Sequence, residues 1–159
     1  MLSKNITIRS VVELSALCND IYVHHRSLFP LYKDHKISIN FDYSSFVSFS
    51  DLNYKRNLIC TGEYVDIYLI CWKANQKSKI HDHPEKGCVM YVLDGELEEN
   101  VYEFDKDGNK TTYKFSRILK NNDSSYNFGS NILHQIVAQS DTISLHVYCS
   151  GYLPQFYDF

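Results

Sequence analysis

Two histidines one residue apart, His81 and His83 in the run HDHPEKGC, form a chemistry-bearing pair. In an extended strand alternate side chains share a face, so both imidazoles could present a nitrogen to one ion. The pair alone is a weak signal, because such spacing also arises by chance on surfaces. A second constellation is Ser144, His146 and Tyr148 alternating with Ile143, Leu145 and Val147, a strand with one polar and one apolar face. Turned into a core, the polar face needs partners, and a serine to histidine to tyrosine chain provides them and fixes a phenol in place. Turned outward, it is an ordinary solvated face. Arg56 in YKRN carries a rigid fork that suits a carboxylate, through charge-assisted bonds worth about 1.5–3 kcal/mol each. Lysine does not reproduce that geometry. Beside Asn57, Arg56 also reads as a surface arginine.

The cysteines, Cys18, Cys60, Cys71, Cys88 and Cys149, are odd in number and form no CxxC pair, which argues against a disulfide framework or a structural zinc site. They are expected to be reduced, and all but Cys88 are expected to be small buried apolar side chains. Cys88 follows the histidine pair closely and stands apart. His24, His25 and His35 fall in an N-terminal helical region, where surface or helix-end roles are the expectation.

The elements that must position these groups change character along the chain. Ser10 and Glu13 form a capping box ahead of Val11, Leu14, Leu17, Cys18 and Ile21 at helical spacing. Phe29, Pro30 and Leu31 are expected to break that helix, and a second, shorter one is expected to carry Phe46 and Phe49. From about Leu58 the signals are those of strands: VDIYLICW, CVMYVL, NVYEF, TTYKFSRIL, NILHQIVA and TISLHVYC are rich in β-branched and aromatic residues. Hairpin-type turns are expected at Asp94, Gly95 and at Asp107, Gly108, Asn109, with further breaks at NNDSS and at Ser140, Asp141. Many short strands joined by short turns point to a mainly β sandwich or jelly-roll barrel.

A chain of 159 residues, 44% hydrophobic and without a linker or repeat, suits one domain over 1–159, with a helical segment at about 10–50 and a barrel at about 55–150. Its net charge of −3 comes without a basic stripe, which argues against nucleic acid. No apolar run is long enough to cross a bilayer and MLSKNITIRS lacks an apolar leader core, so no membrane association and a cytoplasmic location are expected. A monomer is the expected state.

The stretch HDHPEKGCVMYVLDG resembles the first motif of the cupin barrels, in which HxH is followed by a glutamate ligand and then a glycine. Here Cys88 stands at the glutamate position and Gly95 at the glycine. His134, in ILH, resembles the histidine of the second cupin motif, although the proline and glycine usual ahead of it are not in their expected places. The resemblance implies a cupin-type jelly-roll β-barrel with short N-terminal helices, and a metal held by His81, His83 and His134. Three neutral imidazoles without a carboxylate leave an ion its full charge and favour anionic chelating ligands. Imidazole suits iron, zinc, copper and nickel alike.

The ordered set of Tyr54 and Arg56 in YKRN, Trp72 in LICW, the whole of HDHPEKGC, His134 in ILH and SLHVY is similar to the cysteine dioxygenase family. That resemblance implies Fe(2+) as cofactor, and L-cysteine and O2 as substrates giving cysteine sulfinate. It implies Arg56 and Tyr54 on the substrate carboxylate, a thioether crosslink between Cys88 and Tyr148, and Ser144 with His146 orienting the tyrosine hydroxyl. Trp72 is expected in core packing. Rival readings are a dioxygenase for 3-mercaptopropionate or cysteamine, and a non-catalytic metal-binding cupin. Cys149, Ser150 and Gly151 stand where the family usually has a Ser-Pro-Pro turn, and the loop between His134 and His146 looks trimmed. With Phe159 soon after Tyr148, a more open pocket is expected.

Overall fold

The computed structural model describes residues 2–157 and is mainly β. Strands β1 (Lys4–Ile8) and β2 (His35–Ile39) pair in parallel, joined by helices α1 (Val11–His25) and α2 (Phe29–Lys33). A parallel pair needs such a crossover. Then follow β3 (Lys55–Thr61), β4 (Val65–Trp72), β5 (Ile80–His81), β6 (Cys88–Asp94), β7 (Glu96–Asp105), β8 (Lys110–Lys120), β9 (Ser124–Asn127), β10 (Ile132–Ala138), β11 (Thr142–Cys149) and β12 (Phe156–Tyr157). They form two five-stranded sheets, ordered β3-β4-β11-β6-β9 and β12-β5-β10-β7-β8.

Helix α1 starts as the capping box predicts: the Ser10 hydroxyl accepts from the Glu13 N–H at 3.0 Å. It stops at Arg26, whose φ of 53° lies in the left-handed region. The Phe29-Pro30 stretch therefore does not break a helix but opens a new one, with proline in the first turn, where its missing N–H costs nothing. The expected helix over Phe46 and Phe49 is only a 3-10 turn at Ser44–Phe46. Strands also begin earlier than Leu58: β1 and β2 flank the helices, and β3 starts at Lys55.

Two apolar cores flank the first sheet and decide which way its side chains point. On one side Leu14, Cys18 and Ile21 of α1, with Leu28 and Leu31, pack against Val65, Ile67, Leu69, Val89, Leu145 and Val147. Fully burying a leucine such as Leu14 contributes about 1.5–3 kcal/mol. On the other side Ile70, Trp72, Met90 and Val92 meet Leu97, Leu119, Ile136 and Ala138 of the second sheet. The alternation of β11 is thereby resolved. Leu145 and Val147 face the helices, so Ser144, His146 and Tyr148 face the space between the sheets.

Gly95 is not a hairpin turn. Strands β6 and β7 belong to different sheets, and Gly95 (φ 89°) is the corner between them. A Cβ there would lie 2.4 Å from the Thr142 hydroxyl oxygen, so only glycine fits. The turn at Asp107, Gly108, Asn109 does join a hairpin, β7 with β8. Among the described residues, no helix is long and apolar enough to cross a membrane.

Candidate metal centre

Antiparallel pairing of β5 with β10 sets His81 directly opposite His134. His83 lies just beyond β5, its backbone N–H donating to the Gly129 carbonyl at 3.1 Å. The three imidazoles converge: Nε2 of His134 is 2.9 Å from Nε2 of His83 and 3.1 Å from Nε2 of His81. His81 Nδ1 sits 2.8 Å from the Lys79 carbonyl and His134 Nδ1 2.8 Å from the Glu99 carboxylate. Carbonyl and carboxylate only accept, so both Nδ1 atoms carry the proton and both Nε2 atoms offer lone pairs. Lone pairs 3.1 Å apart repel. Burial and the neighbouring His134 push His81 down to about 3, and burial holds His83 well below its ordinary range, so neither of these rings readily takes up a proton. One cation, about 2.0–2.1 Å from each nitrogen, would satisfy the group, so these residues fit a metal ion.

The site is not free of carboxylate, as three histidines alone would suggest. Glu99 of β7 is fully buried and accepts from His134 Nδ1, Arg117 Nε (2.6 Å), Ser125 Oγ (2.7 Å) and Asn127 Nδ2 (3.0 Å). Burial alone would raise its carboxyl, but the His134, Arg117 and Ser125 donors hold it well below the usual carboxylate range. Sequence reasoning missed Glu99 inside the acidic run ELEEN. The available signal was its place between Leu97 and Val101, two apolar residues that share its face of the strand.

The polar face of β11 forms an ordered chain. Trp72 Nε1 donates to Ser144 Oγ (2.9 Å), Ser144 Oγ lies 2.8 Å from His146 Nε2, and His146 Nδ1 lies 3.1 Å from the Tyr148 hydroxyl. Indole is a donor only, so Ser144 accepts from Trp72; with the phenol donating to Cys88, the chain is completed when Ser144 donates to His146 Nε2 and His146 Nδ1–H to the phenol oxygen. Cys88 is the cross-strand neighbour of Tyr148. Trp72 therefore does more than pack: it orients Ser144 and stacks on Tyr54 at 4.4 Å.

Arg56 lies over the Tyr68 and Tyr148 rings, 4.4 and 5.4 Å from their centroids, and makes no carboxylate pair among the described residues. A cavity brings it together with Tyr54, His81, His134, His146 and Tyr148. Tyr152, Pro154 and Phe156 line the same cavity, and β12 pairs with β5. His24, His25 and His35 stay outside the site; His24 and His35 bond to backbone carbonyls.

Burial, then Arg56, holds His146 well below its ordinary range. His81, His83 and His146 are therefore neutral in the metal-free fold, whereas the unfolded chain protonates them below about pH 6.5. Stability should fall as pH falls from there, by up to about 1.4 kcal/mol per pH unit for each ring. Urea midpoints of metal-free protein between about pH 7.5 and 5.5 check this, and a flat profile would contradict it.

A family model described as cysteine dioxygenase type I matches residues 4–158. Cysteine dioxygenase type 1 of Bos taurus is 32% identical over 112 residues, covering 67% of this chain and 56% of that protein. The Homo sapiens protein is 31% identical over 112 residues, with the same coverage. The chain thus spans little more than half the length of these relatives. Among solved structures, an uncharacterized conserved protein with a double-stranded β-helix domain from Klebsiella pneumoniae has a TM-score of 0.58 at 15% identity, covering 75% of this chain and 96% of that one. A cupin superfamily protein from Desulfitobacterium hafniense has a TM-score of 0.52 at 14% identity, covering 69% and 89%. These two share the fold. The family model runs through every residue of the site from Tyr54 to Tyr148, and the chain belongs to the cysteine dioxygenase family.

Proposed function

We propose that the chain is a non-haem Fe(II) thiol dioxygenase that converts L-cysteine and O2 to cysteine sulfinate, acting as a cytoplasmic monomer. The observation that carries this reading is the meeting of three imidazole Nε2 atoms beside an arginine with no carboxylate partner among the described residues. His81, His83 and His134 would hold the metal. When bound, a ferrous ion supplies dioxygen activation and a docking point for thiolate and amine. Arg56, with the Tyr54 hydroxyl, takes the substrate carboxylate, so the substrate is oriented by its two ends. Tyr148, held by His146 and Ser144, keeps a phenol proton available at one atom of the cavity wall. In the overall reaction both oxygen atoms become bonded to sulfur, which gives up four electrons to O2; this is the second rung of thiol oxidation.

Oxygen uptake by iron-loaded protein across L-cysteine, 3-mercaptopropionate and cysteamine tests the substrate. Fastest turnover is expected with cysteine. A different order would move the assignment to another small thiol, and no uptake with any would favour a non-catalytic metal-binding protein.

Cys88 and Tyr148 are register partners on adjacent strands, and the phenol donates to the thiol. Burial pushes that thiol well above its ordinary range, so Cys88 is no free thiolate. A bond from its sulfur to the ring carbon beside the phenol oxygen would form with loss of two hydrogens to O2. A fraction of protein that has turned over cysteine should be lighter by two hydrogens, with both residues in one peptide. Two unmodified peptides by mass analysis would remove the crosslink and leave the enzyme.

A further inference from the structure

After β11 the chain turns back and Tyr152 to Tyr157 run across the mouth of the cavity as a strap. We propose that this strap is the specificity wall of the pocket, and that Asp82, between His81 and His83, is the positioning residue that holds it. The inference rests on the thiol dioxygenase reading for the nature of the ligand and on separate contacts for the strap.

Asp82 is buried and pairs with no cation among the described residues. Among the described residues, its hydrogen bonds outside the strand ladders go to the strap. Its carboxylate accepts from the Tyr152 hydroxyl, the Gln155 backbone N–H (2.8 Å) and the Tyr157 hydroxyl (3.4 Å), and its own N–H donates to the Gln155 carbonyl (3.2 Å). A buried carboxylate without a cation is tolerated only when hydrogen bonds replace its water, so strap and carboxylate hold each other in place. Ladder pairing of Phe156 with His81 and Tyr157 with Ile80 joins the strap to the same stretch that presents a metal ligand.

The strap alternates. Tyr152, Pro154 and Phe156 line the cavity, while Leu153 points to solvent. With the Tyr152 hydroxyl committed to Asp82, this wall offers apolar carbon to a ligand. Arg56 and Tyr148 supply the polar contacts elsewhere in the cavity. A thiol with a free amine, a carboxylate and a short body needs nothing from the strap. A thiol carrying an added acyl or peptide group would press an amide against carbon and leave it unpartnered. The wall thus selects free aminothiol acids over N-acylated or peptidyl thiols.

Two variants of the metal-loaded full chain test this, Asp82→Asn and Phe156→Ala. Asparagine keeps the shape but offers one acceptor oxygen where two tyrosines need acceptors. Backbone amides of the strap should then exchange hydrogen for deuterium at least about tenfold faster, with β10 amides unchanged. The Asp82→Asn KM for cysteine should rise more than kcat falls. Phe156→Ala leaves Asp82 in place, and its preference for cysteine over N-acetylcysteine, read by anaerobic calorimetry, should narrow about tenfold. Unchanged strap exchange in Asp82→Asn, or an unchanged thiol preference in Phe156→Ala, would overturn the proposal. Wild-type protein that binds none of these thiols removes the proposed function and the specificity role together, whereas failure confined to the variants removes only the role of the strap.

Discussion

Replacing Arg56 with glutamine is expected to cut oxidation of L-cysteine about a hundredfold to a thousandfold while changing that of cysteamine, which has no carboxylate, by less than about threefold. The guanidinium sits on the Tyr68 ring at 4.4 Å and close to Tyr148, with no carboxylate partner among the described residues. Such a fork is a preorganised, charged, two-point contact for a carboxylate, and glutamine keeps at most one neutral donor. Loss of the positive charge also leaves the substrate carboxylate without its ion-pair partner, which adds to the cost. Because Arg56 lies against Tyr148 as well, a merely loosened phenol would slow both thiols alike. Rates for the two substrates separate these causes, and equal losses would count against the clamp.

His134→Ala should abolish stoichiometric metal binding and reduce turnover to background. Its imidazole is the hub of the centre, facing Nε2 of both His81 and His83 and donating from Nδ1 to Glu99. Alanine removes a ligand and strips a fully buried carboxylate of one donor, so a fall in stability accompanies the loss. Glu99→Gln separates the two effects. It keeps all three imidazoles and an oxygen for His134 Nδ1, while it removes the charge and the acceptor for Arg117, and metal affinity should fall about 10–100-fold. Metal titration with elemental analysis reads both variants; His134→Ala that retains one ion per chain would contradict the assigned ligand set.

The alternation of β11 and the HxH spacing were legible because strand periodicity is a local property. Which face of β11 points inward was not local. It depends on Leu14, Cys18 and Ile21 of α1 covering Leu145 and Val147, residues more than a hundred positions away. Glu99 was hidden for the same reason: a glutamate in an acidic run reads as solvated until a histidine and an arginine from other strands surround it. Gly95 showed its turn chemistry but not its topology, since hairpin and sheet-crossing corner both need a positive φ. The β1–β2 pair escaped notice because its five-residue strands are separated by two helices, and parallel pairing leaves no turn signature. The closing role of Tyr152 to Tyr157 depends on partners at Asp82 and β5, which composition does not reveal.

The most direct measurement is aerobic reaction of the iron-loaded protein with L-cysteine under isotope-labelled dioxygen, followed by mass analysis of the product. The account predicts cysteine sulfinate carrying both labelled atoms, with one O2 consumed per cysteine. Cystine or unchanged cysteine as the sole outcome from protein with one ferrous ion per chain would contradict it.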